Sequence, residues 1–124
     1  MKVTDLNWSI DGKLLVQSSE DKELRLWDPM SLKLIFSFPK KQYIQASCYL
    51  STDSNYAISS SNGFQGNGCE ISLWDLRKRA LVHEFLGHGQ TVSCAKFIQS
   101  DKYIASSSHD STVGLWDVKS LSKL

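Results

Sequence analysis

Serine, histidine and aspartate, the residue types of an acyl-transfer triad, fall together between Gly87 and Asp117, with His88, Ser108 and Asp110 as the candidates. In such a triad a carboxylate orients the imidazole, which takes the serine proton. The stretch shows no nucleophile elbow and no oxyanion donor, so hydrolysis is the weakest reading. Gly63-Phe-Gln-Gly66-Asn-Gly68 invites a phosphate-loop reading. Its order is GxxGxG, no lysine follows, and the next element is a strand rather than a helix whose N-terminus could hold an anion. An extended hairpin whose glycines reach positive φ fits better. His83, His88 and His109 lie on different elements without a ligand spacing, so no metal is expected, and no cofactor. Cys48, Cys69 and Cys94 form neither a CxxC pair nor a disulfide framework, and read as reduced, mostly buried thiols.

The elements that would position these residues are short strands. Thr91 to Phe97, Tyr103 to Ser108 and Val113 to Asp117 are apolar, β-prone runs separated by polar turns, the pattern of an antiparallel meander. The first unit places strands near Val3 to Trp8, Lys13 to Gln17, Leu24 to Trp27 and Leu32 to Phe38, with Asp11-Gly12 turning the first hairpin. The second places them at Ile44 to Leu50, Tyr56 to Ser60, Glu70 to Trp74 and Ala80 to Phe85. Six extra residues separate Ile44 from Trp74 relative to the third unit, one assigned to the first turn and five to Asn62–Gly68. Loops tolerate such insertions, and functional residues concentrate in them.

Leu26-Trp27-Asp28, Leu73-Trp74-Asp75 and Leu115-Trp116-Asp117 recur at spacings of 47 and 42 residues. Trp8, Tyr49 and Phe97 are each placed at the end of a first strand. With Gly87-His88 upstream of the last unit, the pattern resembles the WD40 repeat, one four-stranded propeller blade per repeat. The resemblance implies an all-β chain of three antiparallel blades, the last incomplete, in a single region: about 1–38, 39–85 and 86–124.

The same resemblance implies a structural hydrogen-bond chain in the third unit. Asp110 accepts from His88, His88 meets a strand hydroxyl assigned to Ser108, and the hydroxyl reaches the indole of Trp116. A chain ended by an indole donor and packed between strands rigidifies a blade, so the chain is expected not to be an enzyme. The first unit keeps Ser19, Asp21 and Trp27. The second keeps only Ser61 and Trp74, has Pro39-Lys40 where Gly-His belongs, and must stabilise itself by other means. The repeat family also implies a rim of loops that grips protein or peptide partners. Matching positions are Lys2, Thr4 and Glu20, then Tyr43 and Gln45 with the 62–68 loop, then Thr91, Ser93 and His109. Tyr43 and Phe64 are the expected aromatic anchors, with Phe64 folded inward over the vacated aspartate and histidine sites as the equal alternative. Trp74-Asp75-Leu76-Arg77 resembles the box with which substrate receptors of cullin-RING ubiquitin ligases dock their adaptor through the arginine. An ordinary solvated Arg77, satisfied by Asp75 or Glu70, is the simpler expectation.

Composition sets the outer bounds. At 124 residues, 41% hydrophobic and with net charge +1, the chain has material for a core and no basic face for nucleic acid. No segment reaches 18 apolar residues, so membrane insertion is not expected. The expected location is intracellular and cytoplasmic, with cilium-associated or nuclear placement as alternatives. Propellers usually close with four to eight blades. Three blades would leave two apolar faces open, each costing roughly 12 kcal/mol if ~500 Å² is left in water. The chain therefore reads as a piece of a longer propeller, a truncated product, or a subunit that closes by self-association.

Overall fold

The computed structural model describes residues 2–124, and they form twelve strands in three four-stranded antiparallel sheets. The first blade contains β1 (Val3–Trp8), β2 (Leu15–Ser19), β3 (Leu24–Asp28) and β4 (Lys33–Ser37). The second contains β5 (Gln45–Leu50), β6 (Tyr56–Ser61), β7 (Ile71–Asp75) and β8 (Ala80–Phe85). The third contains β9 (Val92–Ile98), β10 (Tyr103–Ser108), β11 (Val113–Asp117) and β12 (Ser122–Lys123), so its outer strand is only two residues long. Strands run in sequence order within each sheet, as hairpin connections require.

The turns decide where strands begin. In the first blade the Asp11 carboxylate takes the Lys13 N–H and the Ser9 hydroxyl oxygen takes the Leu14 N–H. β2 starts at Leu15 rather than Lys13. Ser51 and Asp53 build the same turn in the second blade.

Hairpin register corrects one alignment made from the sequence. Trp8 pairs with Leu15, Leu50 with Ala57 and Phe97 with Ile104, so Leu50, not Tyr49, is the counterpart of Trp8 and Phe97. The first turn of the second blade has no extra residue, and all of the insertion lies between β6 and β7. A one-residue slip changes the face of the sheet: Leu50 packs with the first blade and Tyr49 with the third.

Two apolar layers hold the blades together. Val16, Leu24, Leu26 and Phe38 of the first blade meet Cys48, Leu50, Ala57 and Trp74 of the second. Ile58, Ile71, Leu73 and Phe85 of the second then meet Val92, Ala95, Phe97, Ile104 and Trp116 of the third. Trp74 and Trp116 thus face the preceding blade, and an aromatic at the end of that blade's outer strand lies on each, with ring centroids 5.2 Å apart for Phe38 and Trp74 and 5.7 Å for Phe85 and Trp116.

Polar contacts fix the angle between the first two blades. The inner strand β5 turns N–H groups toward its neighbour, and the side chains of β1 accept them: Cys48 N–H to Asp5 at 3.2 Å and Leu50 N–H to Asn7 at 2.9 Å. An edge amide left unpaired there costs free energy. Asn7→Ala is expected to lower the unfolding free energy by about 1–3 kcal/mol, measured as a fall in urea midpoint with an unchanged slope.

Candidate functional site

In the third blade the Trp116 indole N–H donates to Ser106 Oγ at 2.9 Å, and Ser106 Oγ lies 2.7 Å from His88 Nε2. On its other side, His88 Nδ1 meets Asp110 at 3.0 Å. The donors assign the protons. An Nδ1–H faces the carboxylate, so Nε2 accepts the serine hydroxyl proton while the serine oxygen accepts the indole N–H. The hydroxyl is committed on both sides and Ser106 is buried, which is the geometry of a fastening rather than of a nucleophile.

The serine is therefore Ser106, and the assignment to Ser108 is corrected. Ser108 and Ser106 lie two apart on one strand, but Ser108 stands at the turn, where its Oγ accepts the Asp110 N–H and donates to the Gln90 carbonyl. The other two assignments shift in the same way. Trp27 donates to Gln17, ten residues upstream, while Ser19 accepts the Asp21 N–H in its turn. Trp74 donates to Ser59, fifteen upstream because of the five-residue insertion, while Ser61 bonds Glu70 and Gln45. Counting back from each tryptophan along the hairpin, rather than from the turn, would have found all three.

Gly114 makes the third chain possible. It pairs with Ser106 across the hairpin, and a Cβ there would stand 2.7 Å from both Ser106 Oγ and Trp116 Nε1, and 3.0 Å from His88 Nε2. The first blade has Arg25 at the corresponding position. Its guanidinium pairs with Asp21 and Glu23, so the Asp21 carboxylate is held by an arginine and is separate from the Trp27–Gln17 bond. That pairing, led by the Arg25 hydrogen bond, lowers the Asp21 pKa below the usual carboxylate value.

The second blade has a different fastening, and sequence reasoning missed its centre. Lys41 reaches in beside Trp74, with Nζ 5.9 Å from the ring centroid, 3.5 Å from Glu70 and also paired with Glu84. The side chains of Lys41 and Glu70 are 11% and 9% exposed, so this charge pair stands largely inside the protein. Ser61 Oγ donates to Glu70 and accepts from the amide of Gln45, joining four side chains in one network. Glu70 is thus engaged with Lys41 and does not hold Arg77. The Asp75 carboxylate caps the turn by taking the Arg77 and Lys78 N–H groups. The Arg77 side chain is exposed and makes no ion pair among the described residues. A cavity of about 470 Å³ opens beside this network, lined by Lys41, Tyr43, Gly68, Glu70, Trp74 and Glu84 among others.

The inserted loop is rigid by construction. Phe64 and Asn67 form a two-residue bridge, and a Cβ on Gly63 would stand 2.1 Å from the Asn67 carbonyl oxygen. The loop is also tied to the third blade. Gly66 N–H donates to the Gly89 carbonyl at 2.9 Å, and the Thr91 hydroxyl lies 2.6 Å from Asn62 Oδ1 and 2.9 Å from the Gly63 carbonyl. Phe64 points outward, 65% exposed. The inward alternative does not occur.

Of the other rim candidates, Lys2, Ser93 and His109 are exposed, and Glu20 and Tyr43 half-buried, Tyr43 with its ring against Gly68. Gln45 is corrected: it is fully buried, its amide donating to the Tyr43 carbonyl and Ser61. Thr4 and Thr91 are also engaged inside the molecule, Thr4 bonding Ser18 and the Gln45 carbonyl across the blade junction. Thr4 stands at the irregularity in β1 between Val3 and Asp5, Gln45 beside the irregularity in β5, and Thr91 just before β9.

Three stacked meanders, each with a tryptophan held to its second strand and loops gathered on one rim, are blades of a β-propeller. The family described as WD domain, G-beta repeat matches residues 1–28 and 79–117, more than half of the chain, and the chain belongs to it. Solved structures agree on the fold. "Structure of U3-55K" is 21% identical with a TM-score of 0.90, and "Crystal structure of RRP9 WD40 repeats" is 21% identical with a TM-score of 0.89. Each match covers all of this chain and 38% of the other. Among the described residues no group of three or more His, Cys, Asp or Glu could hold a metal, and no helix is long and apolar enough to cross a membrane. Burial pushes the Cys48 thiol up to about 12, which leaves it protonated and inert.

Two outcomes test the hydrogen-bond chain. Ser106→Ala is expected to cost about 1–3 kcal/mol, because it strands both His88 and Trp116, and Ser108→Ala less, as the loss of a turn cap; denaturation of the two variants side by side compares them. The Thr112 hydroxyl, then the Gly89 N–H and His88, hold Asp110 well below the usual carboxylate range. A depressed carboxylate contributes stability that is present above about pH 4, its unfolded value, and is lost as pH falls through the folded value. Asp110→Asn should accordingly flatten the acid limb of a stability-against-pH curve below about pH 4.

Proposed function

We propose that the chain is a non-catalytic interaction module whose loop rim grips a protein or peptide partner, with Phe64 as the anchor. WD40 repeats typically serve as protein-interaction scaffolds, and the observation that carries the reading here is the clamped, outward-facing loop. A large aromatic held in water by a rigid loop loses little conformational freedom on binding, so more of its burial appears as affinity. Tyr43, Lys2, Glu20, Ser93 and His109 would supply the polar and aromatic margin. The four-sided network of Lys41, Glu70, Ser61 and Gln45 lies under the loop and serves as its footing.

One observation supports a second reading. Arg77 has its backbone fixed by Asp75 and its guanidinium free, which suits an arginine that docks a ubiquitin-ligase adaptor. The two readings separate in one experiment, quantitative affinity capture from cells with the wild-type chain, Phe64→Ala and Arg77→Ala, each checked for an unchanged melting curve. The rim reading expects Phe64→Ala to weaken a specific partner by about 2 kcal/mol, roughly 30-fold, with Arg77→Ala neutral. Loss of a cullin adaptor with Arg77→Ala alone would favour the second reading, and a partner set indifferent to both would contradict each.

A further inference from the structure

The linker into the second blade differs from the linker into the third, and a cavity stands where it differs. Gln45 pairs with Ser61 as Val92 pairs with Ser108, so Lys41 occupies the place of His88, and Lys40 that of Gly87. Gly87 lies close on the tryptophan of its blade, since a Cβ there would be 2.8 Å from the Trp116 ring. His88 then fills the space beside it by bonding Ser106 and Asp110. In the second blade neither feature is present. Lys40 is exposed, Lys41 turns its ammonium to Glu70 and Glu84, and Trp74 lines the cavity of about 470 Å³. That volume lies in the range of ligand sites, roughly 300–1,000 Å³. All of its walls come from residues between Pro39 and Leu86, at a junction whose two blades both stand in the structure.

The surface around the cavity has two characters. Leu81 and Leu86, two of its lining residues, are apolar and 42% and 69% exposed. The carboxylates nearby are engaged, Asp21 and Glu23 with Arg25, Glu70 and Glu84 with Lys41. The lysines at the mouth are not. Lys40 borders the cavity, and Lys22 lies beside it because its carbonyl takes the Lys41 N–H at 2.9 Å. Both are exposed and make no ion pair among the described residues. Glu20, on the same turn as Lys22, lies toward the inner strand, with its N–H on the Lys2 carbonyl. We infer that the cavity receives an apolar side chain from an acidic peptide segment of the partner, seated against Leu81 and Leu86, with the flanking carboxylates facing Lys22 and Lys40. The inference rests on the interaction-module reading above and names the kind of partner. Gly66, Asn67 and Gly68 form another wall, so the loop that carries Phe64 also borders the cavity. A nucleic-acid strand would use the lysines and leave the leucines in water, whereas an acidic and apolar segment satisfies both.

A phage-displayed library of randomised peptides, selected on the full chain and followed by fluorescence anisotropy of the binders, tests the inference. The expected binders carry a leucine or another large apolar residue flanked by aspartate or glutamate, and their affinity falls as salt is raised. Changing Lys22→Glu and Lys40→Glu together is expected to weaken them about tenfold, through the loss of two exposed charge pairs. Leu86→Ser is expected to weaken them as well. All three residues are exposed, and an unchanged melting curve checks each fold. Where one variant does not fold, the other decides. A selection that yields no binders overturns the inference, as do binders without acidic residues, acidic binders indifferent to the folded variants, or an oligouridylate that binds more tightly than any selected peptide. Binders lost with Phe64→Ala yet untouched by these variants would overturn it while leaving the rim reading in place.

Discussion

A four-stranded blade is apolar on both faces, and that constraint governs everything else in this chain. Neither face can be covered by the blade's own residues, so each is covered by the next repeat, and the sequence repeats because the problem repeats. Tryptophan recurs at the same place because it must do two things at once. Its ring fills the seam against the preceding outer strand, as Phe38 on Trp74 and Phe85 on Trp116 show, and its N–H needs a buried acceptor from the second strand. The acceptor stands two positions beyond the tryptophan's direct partner on the second strand, diagonal to the indole, and serine or glutamine there supplies the oxygen.

Beyond that shared bond the blades differ in how they anchor their turns and loops. The third uses imidazole and carboxylate, and accepts glycine at 114 as the condition for bringing four groups together. The first gives its carboxylate an arginine instead, at the cost of separating Asp21 from Trp27. The second lost the turn aspartate to its insertion and buries Lys41 against Glu70. Buried ion pairs contribute little net stability against an apolar alternative, yet removing one partner is costly because the other is left charged and unpaired. Such a pair therefore fixes a geometry more than it adds to stability, and the geometry it fixes is the base of the 62–68 loop. Structural requirement and candidate binding surface meet at that point.

Much of this was legible in the residues. Strand positions, the three-blade architecture and the place of the inserted loop follow from periodicity and from the tryptophan spacing. What failed did so through parity. Ser106, Ser107 and Ser108 are identical in type, so composition cannot choose among them; only hairpin register does, and register is a tertiary fact. Tyr49 was preferred to Leu50 because it is aromatic like Trp8 and Phe97, which moved it to the wrong face and created a spurious extra residue in the first turn. Gln45 looked like a rim residue because it follows Tyr43 by two, whereas a bulge turns it inward to Ser61. Lys41 left no signal at all, since a lysine beside Lys40 in a linker is indistinguishable from solvated charge until Glu70 is seen across from it.

The central claim is that buried indole hydrogen bonds to the second strand of the same blade fix each tryptophan ring where it fills the seam against the neighbouring blade. Hydrogen exchange of the indole N–H protons of Trp74 and Trp116, followed by NMR, tests it most directly. Exchange limited by unfolding of the whole chain is the predicted result, since neither proton is released without opening a blade junction. Exchange of either proton at the rate of a solvent-exposed indole, in a chain that is otherwise folded, would contradict the account.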